Sequence, residues 1–155
     1  MARNKRPPKL PPSGVITVMF TDIVNSTKLK GLMEGDTAAR RDAKFRSDVK
    51  EPHDTIVLTC LEDAGGHKVK STGDGYLFTF KDAEEAVLCA LQIQDQLCAN
   101  PINTPLGPLQ VRIGLHTGIA SPTDDDYTAS AIDKAARVES EAEPGHVFVS
   151  RETHT

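Results

Sequence analysis

The chain has 155 residues, of which 38% are hydrophobic and 26% are charged, and its formal net charge at pH 7 is −4. This length and composition are typical of one soluble globular domain with a substantial core. The acidic balance argues against bulk binding to nucleic acid or anionic membranes, and the sequence shows neither a signal peptide nor a membrane span, so we expect a cytoplasmic protein.

The N-terminal segment is basic and rich in proline over residues 1–14. Such a composition is typical of a disordered or extended leader, so we expect the folded domain to comprise residues 15–155. The first predicted strand covers residues 15–21 (VITVMFT), whose apolar, β-branched character favours a central strand buried on both faces. This strand runs directly into Asp22.

Two helical regions follow the first strand. Asn25 or Ser26 is expected to cap a short helix that extends to Met33. A longer helical region is predicted over residues 37–63. Because Pro52 lacks an N–H group and crowds the preceding turn, we expect either a kink at this point or two helices that meet there.

Residues 67–80 (HKVKSTGDGYLFTF) consist of two β-type runs joined through Gly73, Asp74 and Gly75. An Asp-Gly pair between apolar runs is a strong signal for a hairpin. The turn would hold the carboxylate of Asp74 at its tip, between two glycines.

Apolar periodicity predicts the remaining elements. A helix is expected over residues 82–98, and a strand with one buried face over 109–115. An acidic loop then leads to a helix over 128–142, which is followed by a strand over 146–149. Residues 150–155 look like the opening of a further helix.

This order of elements predicts an α+β, ferredoxin-like (βαββαβ) sheet with helices packed on one face. In that plan the first and third strands are antiparallel neighbours at the centre of the sheet, so Asp22 and Asp74 should converge. Carboxylates that lie so close repel each other unless a cation neutralises them. We therefore predict two Mg²⁺ or Mn²⁺ ions at this point, beside the positive end of the helix that begins at Asn25.

Four segments carry a family resemblance: residues 20–27 (FTDIVNST), 70–75 (KSTGDG), 111–118 (VRIGLHTG) and 135–138 (AARV). Their order and spacing resemble those of the class III adenylyl/guanylyl cyclase homology domain. The resemblance implies conversion of ATP to cyclic AMP and pyrophosphate by a two-metal mechanism, in a homodimer whose active sites lie at the subunit interface. The family domain normally continues into further strands, so this chain is expected to be short at its C-terminus.

Positional equivalence with the family implies a role for each matched residue. Three groups would be metal ligands: Asp22, Asp74 and the backbone carbonyl of Ile23. Four residues would hold the triphosphate: Asn25, Ser26, Thr27 and Arg112. Arg137 would stabilise the α-phosphate in the transition state. Asp133 stands where the family usually has an asparagine that orients the transition state.

Lys70 and Asp126 fall at the positions that read the purine base. Adenine presents an acceptor at N1 and a donor at its amino group, which a lysine and an aspartate match, whereas guanine inverts both. The pair therefore favours ATP over GTP. A one-residue shift in the acidic loop would instead place Asp125 or Thr128 at the position of Asp126.

A second hypothesis is a degenerate cyclase-like domain that binds nucleotide or dimerises for regulation, with little turnover. It is motivated by the carboxylate of Asp133 and by the missing C-terminal strands. Plain structural interpretations also exist for single residues, since Lys70 could be a solvated edge residue and Arg137 a surface ion-pair residue of small energetic value. Palm-type nucleotidyl transferases pair carboxylates on a similar sheet, but they would not explain the segments around these two residues.

Overall fold

A computed structural model describes residues 11–123 and 126–154 of the chain. The strands are β1 (Gly14–Ile23), β2 (His67–Thr72), β3 (Gly75–Phe80), β4 (Asn103–Thr104), β5 (Gly107–Pro108), β6 (Val111–Ala120) and β7 (Val147–Val149). The helices are α1 (Ser26–Leu32), α2 (Ala38–Phe45), α3 (Glu51–Ala64), α4 (Ala83–Ala99), α5 (Ala129–Glu141) and α6 (Arg151–His154). Most of the predicted leader, residues 1–10, lies outside the described part of the chain.

Five strands form one sheet in the order β2-β3-β1-β6-β7. Strand β1 is antiparallel to both β3 and β6, and β7 is parallel to β6. The first and third strands are therefore central neighbours, which confirms the α+β, ferredoxin-like fold class. Strands β4 and β5 form a separate two-stranded ribbon.

Both faces of the sheet are covered, in agreement with the apolar character of β1. Met19 and Phe78 face the larger core, which the sheet shares with α3 and α4. Ile16, Val18 and Leu77 face a smaller core on the opposite side. Helix α5 closes this second side, which we call the α5 face, and so departs from the expected single helical layer.

The predicted helical region 37–63 occurs as α2 and α3 joined by a π-helical turn over Arg46–Lys50. The N–H group of Glu51 donates to the carbonyl of Arg46, five residues earlier. Pro52 follows at the start of α3, where its missing N–H group interrupts the regular ladder. The wider turn accommodates the proline, and the two helices meet at the place that the proline predicts.

Strand β6 extends to Ala120, beyond the predicted end at Leu115, and pairs with β1 over its whole length. Gly114 and Gly118 lie inside the strand. A Cβ atom on Gly114 would lie 2.3 Å from the backbone nitrogen of Glu139, so the glycine allows α5 to approach the sheet closely. The two glycines therefore mark where α5 packs on the sheet.

Among the described residues, every helix falls short of the length and apolar character that crossing a bilayer requires.

Candidate active site

The turn of the β2–β3 hairpin packs against the end of β1. A Cβ atom on Gly75 would lie 1.7 Å from the carbonyl oxygen of Thr21 and 2.8 Å from the Cα atom of Asp22, so only glycine fits there. The backbone N–H of Tyr76 donates to the Thr21 hydroxyl at 3.2 Å. Asp74 precedes Gly75, so the two predicted metal carboxylates stand at adjoining ends of neighbouring strands.

Asp22 lies on the α5 face, because it has the same parity along β1 as Ile16 and Val18. It pairs in register with Arg112 of β6, so these two side chains share one face of the sheet. The Oδ1 atom of Asp22 is buried and has no hydrogen-bond partner among the described residues. Such an oxygen is costly to bury, and a hard divalent cation would satisfy it.

The residues therefore fit a metal, although the protein contributes few ligands. Within residues 11–123 and 126–154, no three His, Cys, Asp or Glu side chains cluster in a way that could hold a metal ion. Two carboxylates, a backbone carbonyl of Ile23 and oxygens of a bound phosphate would have to complete the coordination. This pattern is common for Mg²⁺ in nucleotide sites, since Mg²⁺ usually binds one or two carboxylates together with substrate phosphates.

Glu139 of α5 is an acidic group that lies beside Asp22, and sequence reasoning missed it. Burial, and after it a hydrogen bond to the carboxylate of Asp22 and the negative charge of that carboxylate, raises the pKa of Glu139 to about 8, while Arg112 opposes this shift. Its Oε1 atom is also buried without a partner in the described part of the chain. The one available signal was Gly114, which marks where the helix backbone meets the sheet.

Asp74 is not free in the structure, since the Nζ atom of Lys30 lies 3.0 Å from its Oδ2 atom. Lys30 belongs to the last turn of α1, and its ammonium group also lies 5.2 Å from the centre of the Phe45 ring. The side chain of Asp74 is 15% exposed, and that of Lys30 is 37% exposed. Sequence reasoning did not identify Lys30.

Asn25 precedes α1 with a φ of 57°, in the left-handed region. Asparagine tolerates this conformation better than most residues do. Asn25 is the N-cap residue of α1, one of the two predicted positions, but its side chain makes no capping hydrogen bond among the described residues. Ser26 and Thr27 begin the helix directly after the strand that carries Asp22, at the position that the resemblance assigns to the triphosphate.

Lys70 reaches the α5 face because β2 contains an irregularity. Lys68 pairs with Phe78, but Lys70 pairs with Leu77, so the intervening Val69 is an extra residue of the bulge type. In a regular strand Lys70 would share the face of Lys68. The bulge turns it instead to the face of Leu77, which is the α5 face.

Asp126 meets Lys70 in an ion pair between their side chains. Lys70 lowers the pKa of the Asp126 carboxyl below its usual value. Thr128, another candidate for the base-reading position, has a different contact: its hydroxyl accepts a hydrogen bond from the N–H of Ser121 at 3.0 Å. Asp125 lies outside the described residues.

Tyr127 fixes the loop that carries Asp126. Its hydroxyl donates to the carbonyl of Pro12 at 2.8 Å and accepts from the Thr79 hydroxyl at 3.1 Å. Its backbone N–H donates to the Asp126 carboxylate at 2.9 Å. The aspartate is thereby held against the sheet on the side of Lys70.

Asp133 and Arg137 are not brought to the carboxylates of their own chain. Ala131 and Ala135 form the buried side of α5, whereas Asp133 and Arg137 are exposed, four residues apart on the helix. Neither side chain has a hydrogen-bonding or ionic partner among the described residues. Among the described residues no ion pair joins Asp133 to Arg137, so Arg137 is available to a molecule outside this chain.

The family model described as "Adenylate and Guanylate cyclase catalytic domain" matches residues 9–155. An uncharacterized protein of Mycobacterium tuberculosis is 30% identical over 146 residues, which cover 94% of this chain and 46% of that protein. The adenylate cyclase of Schizosaccharomyces pombe is 32% identical over 166 residues, covering 92% of this chain and 9% of that protein. The chain thus spans less than half the length of these relatives.

Solved structures show the same fold. The catalytic core of a rhodopsin-guanylyl cyclase with converted specificity, in complex with ATPαS, has a TM-score of 0.75 and 25% identity, covering 92% of this chain and 80% of that one. An adenylate/guanylate cyclase/hydrolase from Silicibacter pomeroyi has a TM-score of 0.61 and 31% identity, covering 90% of this chain and 77% of that one. The similarity therefore extends over nearly the whole described chain.

Proposed function

The chain belongs to the family of adenylate and guanylate cyclase catalytic domains, and from this premise we propose that it converts ATP to cyclic AMP and pyrophosphate. We further propose that the reaction takes place at sites shared between two copies of the chain. The observation that carries this proposal is the content of the α5 face. That face holds both a buried oxygen of Asp22, which has no hydrogen-bond partner among the described residues, and the ion pair between Lys70 and Asp126.

Asp22, Asp74 and the carbonyl of Ile23 would hold the Mg²⁺ or Mn²⁺ ions. Bound there, two such ions would make the ribose 3′-hydroxyl more acidic and would neutralise charge on the departing pyrophosphate. Arg112 pairs in register with Asp22 and is half-buried, so it supplies a fixed positive charge for the triphosphate beside these carboxylates. The backbone N–H groups at 25–27 would add hydrogen-bond donors to the same phosphates.

Arg137 has a different role, because its guanidinium is exposed and has no partner in the described part of the chain. Placed at the α-phosphate, it would meet negative charge that grows during the reaction, which accelerates the chemical step more than it strengthens binding. In its own chain it points away from the sheet that carries Asp22. A symmetric dimer solves this problem, because the same surfaces of two copies face each other and each α5 can serve the other copy's carboxylates.

Lys70 and Asp126 would select the base. They pair with each other in the structure, so a purine has to replace one charge-assisted contact with two hydrogen bonds. The ammonium would donate to N1 of adenine, and the carboxylate would accept from the 6-amino group. Guanine presents a donor and an acceptor at these positions, and would leave both protein groups badly paired.

The experiment that tests the proposal is a product assay on the full chain with Mn²⁺ and either ATP or GTP. We expect cyclic AMP from ATP and much less cyclic GTP from GTP. In the variant Lys70→Glu the preference for ATP should fall, because a carboxylate accepts from guanine N1 and repels adenine N1. Equal turnover of both nucleotides by the wild-type chain would contradict the proposed selectivity, and no turnover of either would contradict the proposed reaction.

A regulatory module with little turnover is the second candidate, and one observation favours it. Asp133 places an exposed carboxylate one helical turn from Arg137, where it would repel a triphosphate. If the chain is an active cyclase, Asp133→Asn should raise its activity about fivefold, which corresponds to removing about 1 kcal/mol of repulsion. Nucleotide binding without turnover in both the wild-type chain and this variant would support the regulatory module.

A further inference from the structure

Tyr127 is the one buried side chain of the acidic loop within its described residues, 121–123 and 126–128. It is 6% exposed, and its ring belongs to the smaller core on the α5 face. Its hydroxyl lies between two other segments, the leader at Pro12 and strand β3 at Thr79, and bonds to both. Three parts of the chain that are distant in sequence therefore meet at one hydroxyl group.

The hydrogen bonds within the loop fix its shape but not its place on the sheet. The N–H of Thr123 donates to the carbonyl of Asp126 at 2.8 Å, and the N–H of Thr128 donates to the carbonyl of Ser121 at 3.0 Å. These donors and acceptors all belong to the loop, so their bonds survive when the loop moves as a unit. A cavity of about 200 Å³, lined in part by Pro11, lies beside the loop and leaves room for such a movement.

The carboxylate of Asp126 takes its direction from Tyr127 and Lys70. Its Oδ1 atom accepts from the backbone N–H of Tyr127 at 2.9 Å, and its Oδ2 atom pairs with the ammonium of Lys70. Lys70 is held by strand β2, whereas the place of Asp126 depends on the loop. Because hydrogen bonds weaken steeply as they bend, a small shift of the loop would prevent both groups from fitting one base at the same time.

We propose that Tyr127 is a positioning residue for base selection, because its hydroxyl ties the loop of Asp126 to the leader at Pro12 and to β3 at Thr79. Tyr127 acts through Asp126 and not on the reacting atoms. The leader thereby becomes part of the specificity site, since a movement of Pro12 reaches Asp126 through one side chain. This inference rests on the proposed function, because it concerns the pair that would select adenine.

The test measures how strongly the full chain prefers 3′-deoxy-ATP over 3′-deoxy-GTP, which cannot cyclise, by isothermal titration calorimetry with Mn²⁺. Tyr127→Phe keeps the ring and removes the hydroxyl. Its preference for 3′-deoxy-ATP should fall at least about fivefold, mainly through weaker binding of that nucleotide. Tyr76→Phe is the matched control, because Tyr76 is the other tyrosine of the chain, is 3% exposed and lies in the larger core. This control should keep the wild-type preference.

Variants at the two partners of the Tyr127 hydroxyl sharpen the test. Thr79→Val removes the donor to Tyr127 and should lower the preference about threefold, whereas Thr79→Ser keeps a hydroxyl and should restore it. Pro12→Gly loosens the backbone beside the accepting carbonyl and should also lower the preference. Pro101→Gly, in the exposed loop after α4, makes the same change away from this contact and should leave the preference unchanged.

The inference is overturned if Tyr127→Phe and Thr79→Val both fold, by circular dichroism, and keep the wild-type preference. Should Tyr127→Phe fold poorly, Thr79→Val decides alone. An equal fall in Tyr76→Phe would assign the effect to lost stability and would also overturn the inference.

A failure of the proposed function gives a different result, because binding of these nucleotides does not require turnover. A wild-type chain that binds both nucleotides equally, or neither, contradicts base selection itself, and the role of Tyr127 is then wrong as well. A wild-type chain that prefers 3′-deoxy-ATP, with variants that share this preference, leaves base selection standing and shows that only the role of Tyr127 is wrong.

Discussion

The two faces of the central sheet differ in what they bury. On the side of α3 and α4, large side chains such as Met19, Phe78 and Ile93 are fully buried and form the larger core. On the α5 face, small residues of α5 such as Ala131 and Ala135 lie against the sheet, and charged groups surround the contact. The first face supplies apolar burial that stabilises the fold. The second carries Asp22, Arg112 and the ion pair of Lys70 with Asp126, the groups that we propose bind a nucleotide.

The α5 face can hold charged residues because the opposite face stabilises the fold. A buried, unpaired carboxylate oxygen and a carboxyl with a raised pKa both cost stability, and they are placed on the thinner face. The larger core compensates for that cost. Variants on the two faces should therefore separate stability from activity.

The largest effect on stability is expected from the face with the larger core. Phe78 is fully buried there, so Phe78→Ala should lower the free energy of unfolding by about 3–5 kcal/mol, through lost burial and the cavity that remains. Urea denaturation followed by circular dichroism measures this change. A loss below about 1 kcal/mol would show that this face is not the main source of stability.

A smaller effect is expected where α5 meets the sheet. In Gly114→Ala the new Cβ atom would lie 2.3 Å from the Glu139 nitrogen, so α5 must shift, at a cost of about 1–3 kcal/mol. In Gly118→Ala the nearest atom is the His116 Nε2 atom at 3.0 Å, a side-chain contact that can relax more easily. The first variant should therefore lose more stability and more cyclase activity than the second. Equal losses would contradict the close approach of α5.

The smallest effect concerns pH and His116, whose ring bonds the Ser150 hydroxyl at 2.8 Å. Burial, and after it the charge of Lys134, lowers the pKa of His116, while Glu152 opposes the shift. Below pH 6.5 the unfolded chain then binds more protons at this residue than the folded chain does, so the free energy of unfolding falls as the pH decreases through this range. Unfolding at pH 7.5 and 5.5 should show a smaller decrease for His116→Gln than for the wild type. An identical decrease in the variant and the wild type would show that His116 does not cause the loss of stability at low pH.

The sequence predicted the fold and the adjoining carboxylates because both rest on local signals. The Gly-Asp-Gly turn marks the hairpin, the apolar run of β1 marks a central strand, and their pairing follows from the order of elements. The resemblance selected Lys70 and Asp126, which the structure joins in an ion pair. The roles of these residues in metal and nucleotide binding stay predictions.

Other features could not be predicted, because they depend on contacts between distant segments. The bulge at Val69 is invisible in a run of β-type residues, yet it decides which face Lys70 occupies. Glu139 approaches Asp22 only because α5 packs on the second face. Lys30 meets Asp74 across more than forty residues, and no periodicity connects them. The acidic loop at residues 124–125 lies outside the described part of the chain.

The most direct test of the account mixes two inactive variants of the full chain. Asp22→Asn removes a metal carboxylate and Arg137→Ala removes the guanidinium that faces outward, so each variant alone should lack cyclase activity. If two copies share each site, half of the randomly formed dimers contain both variants and each of these holds one intact site, so about one quarter of the wild-type cyclic AMP formation should return on mixing. If mixed dimers form but no activity returns, the shared active site on the α5 face is contradicted.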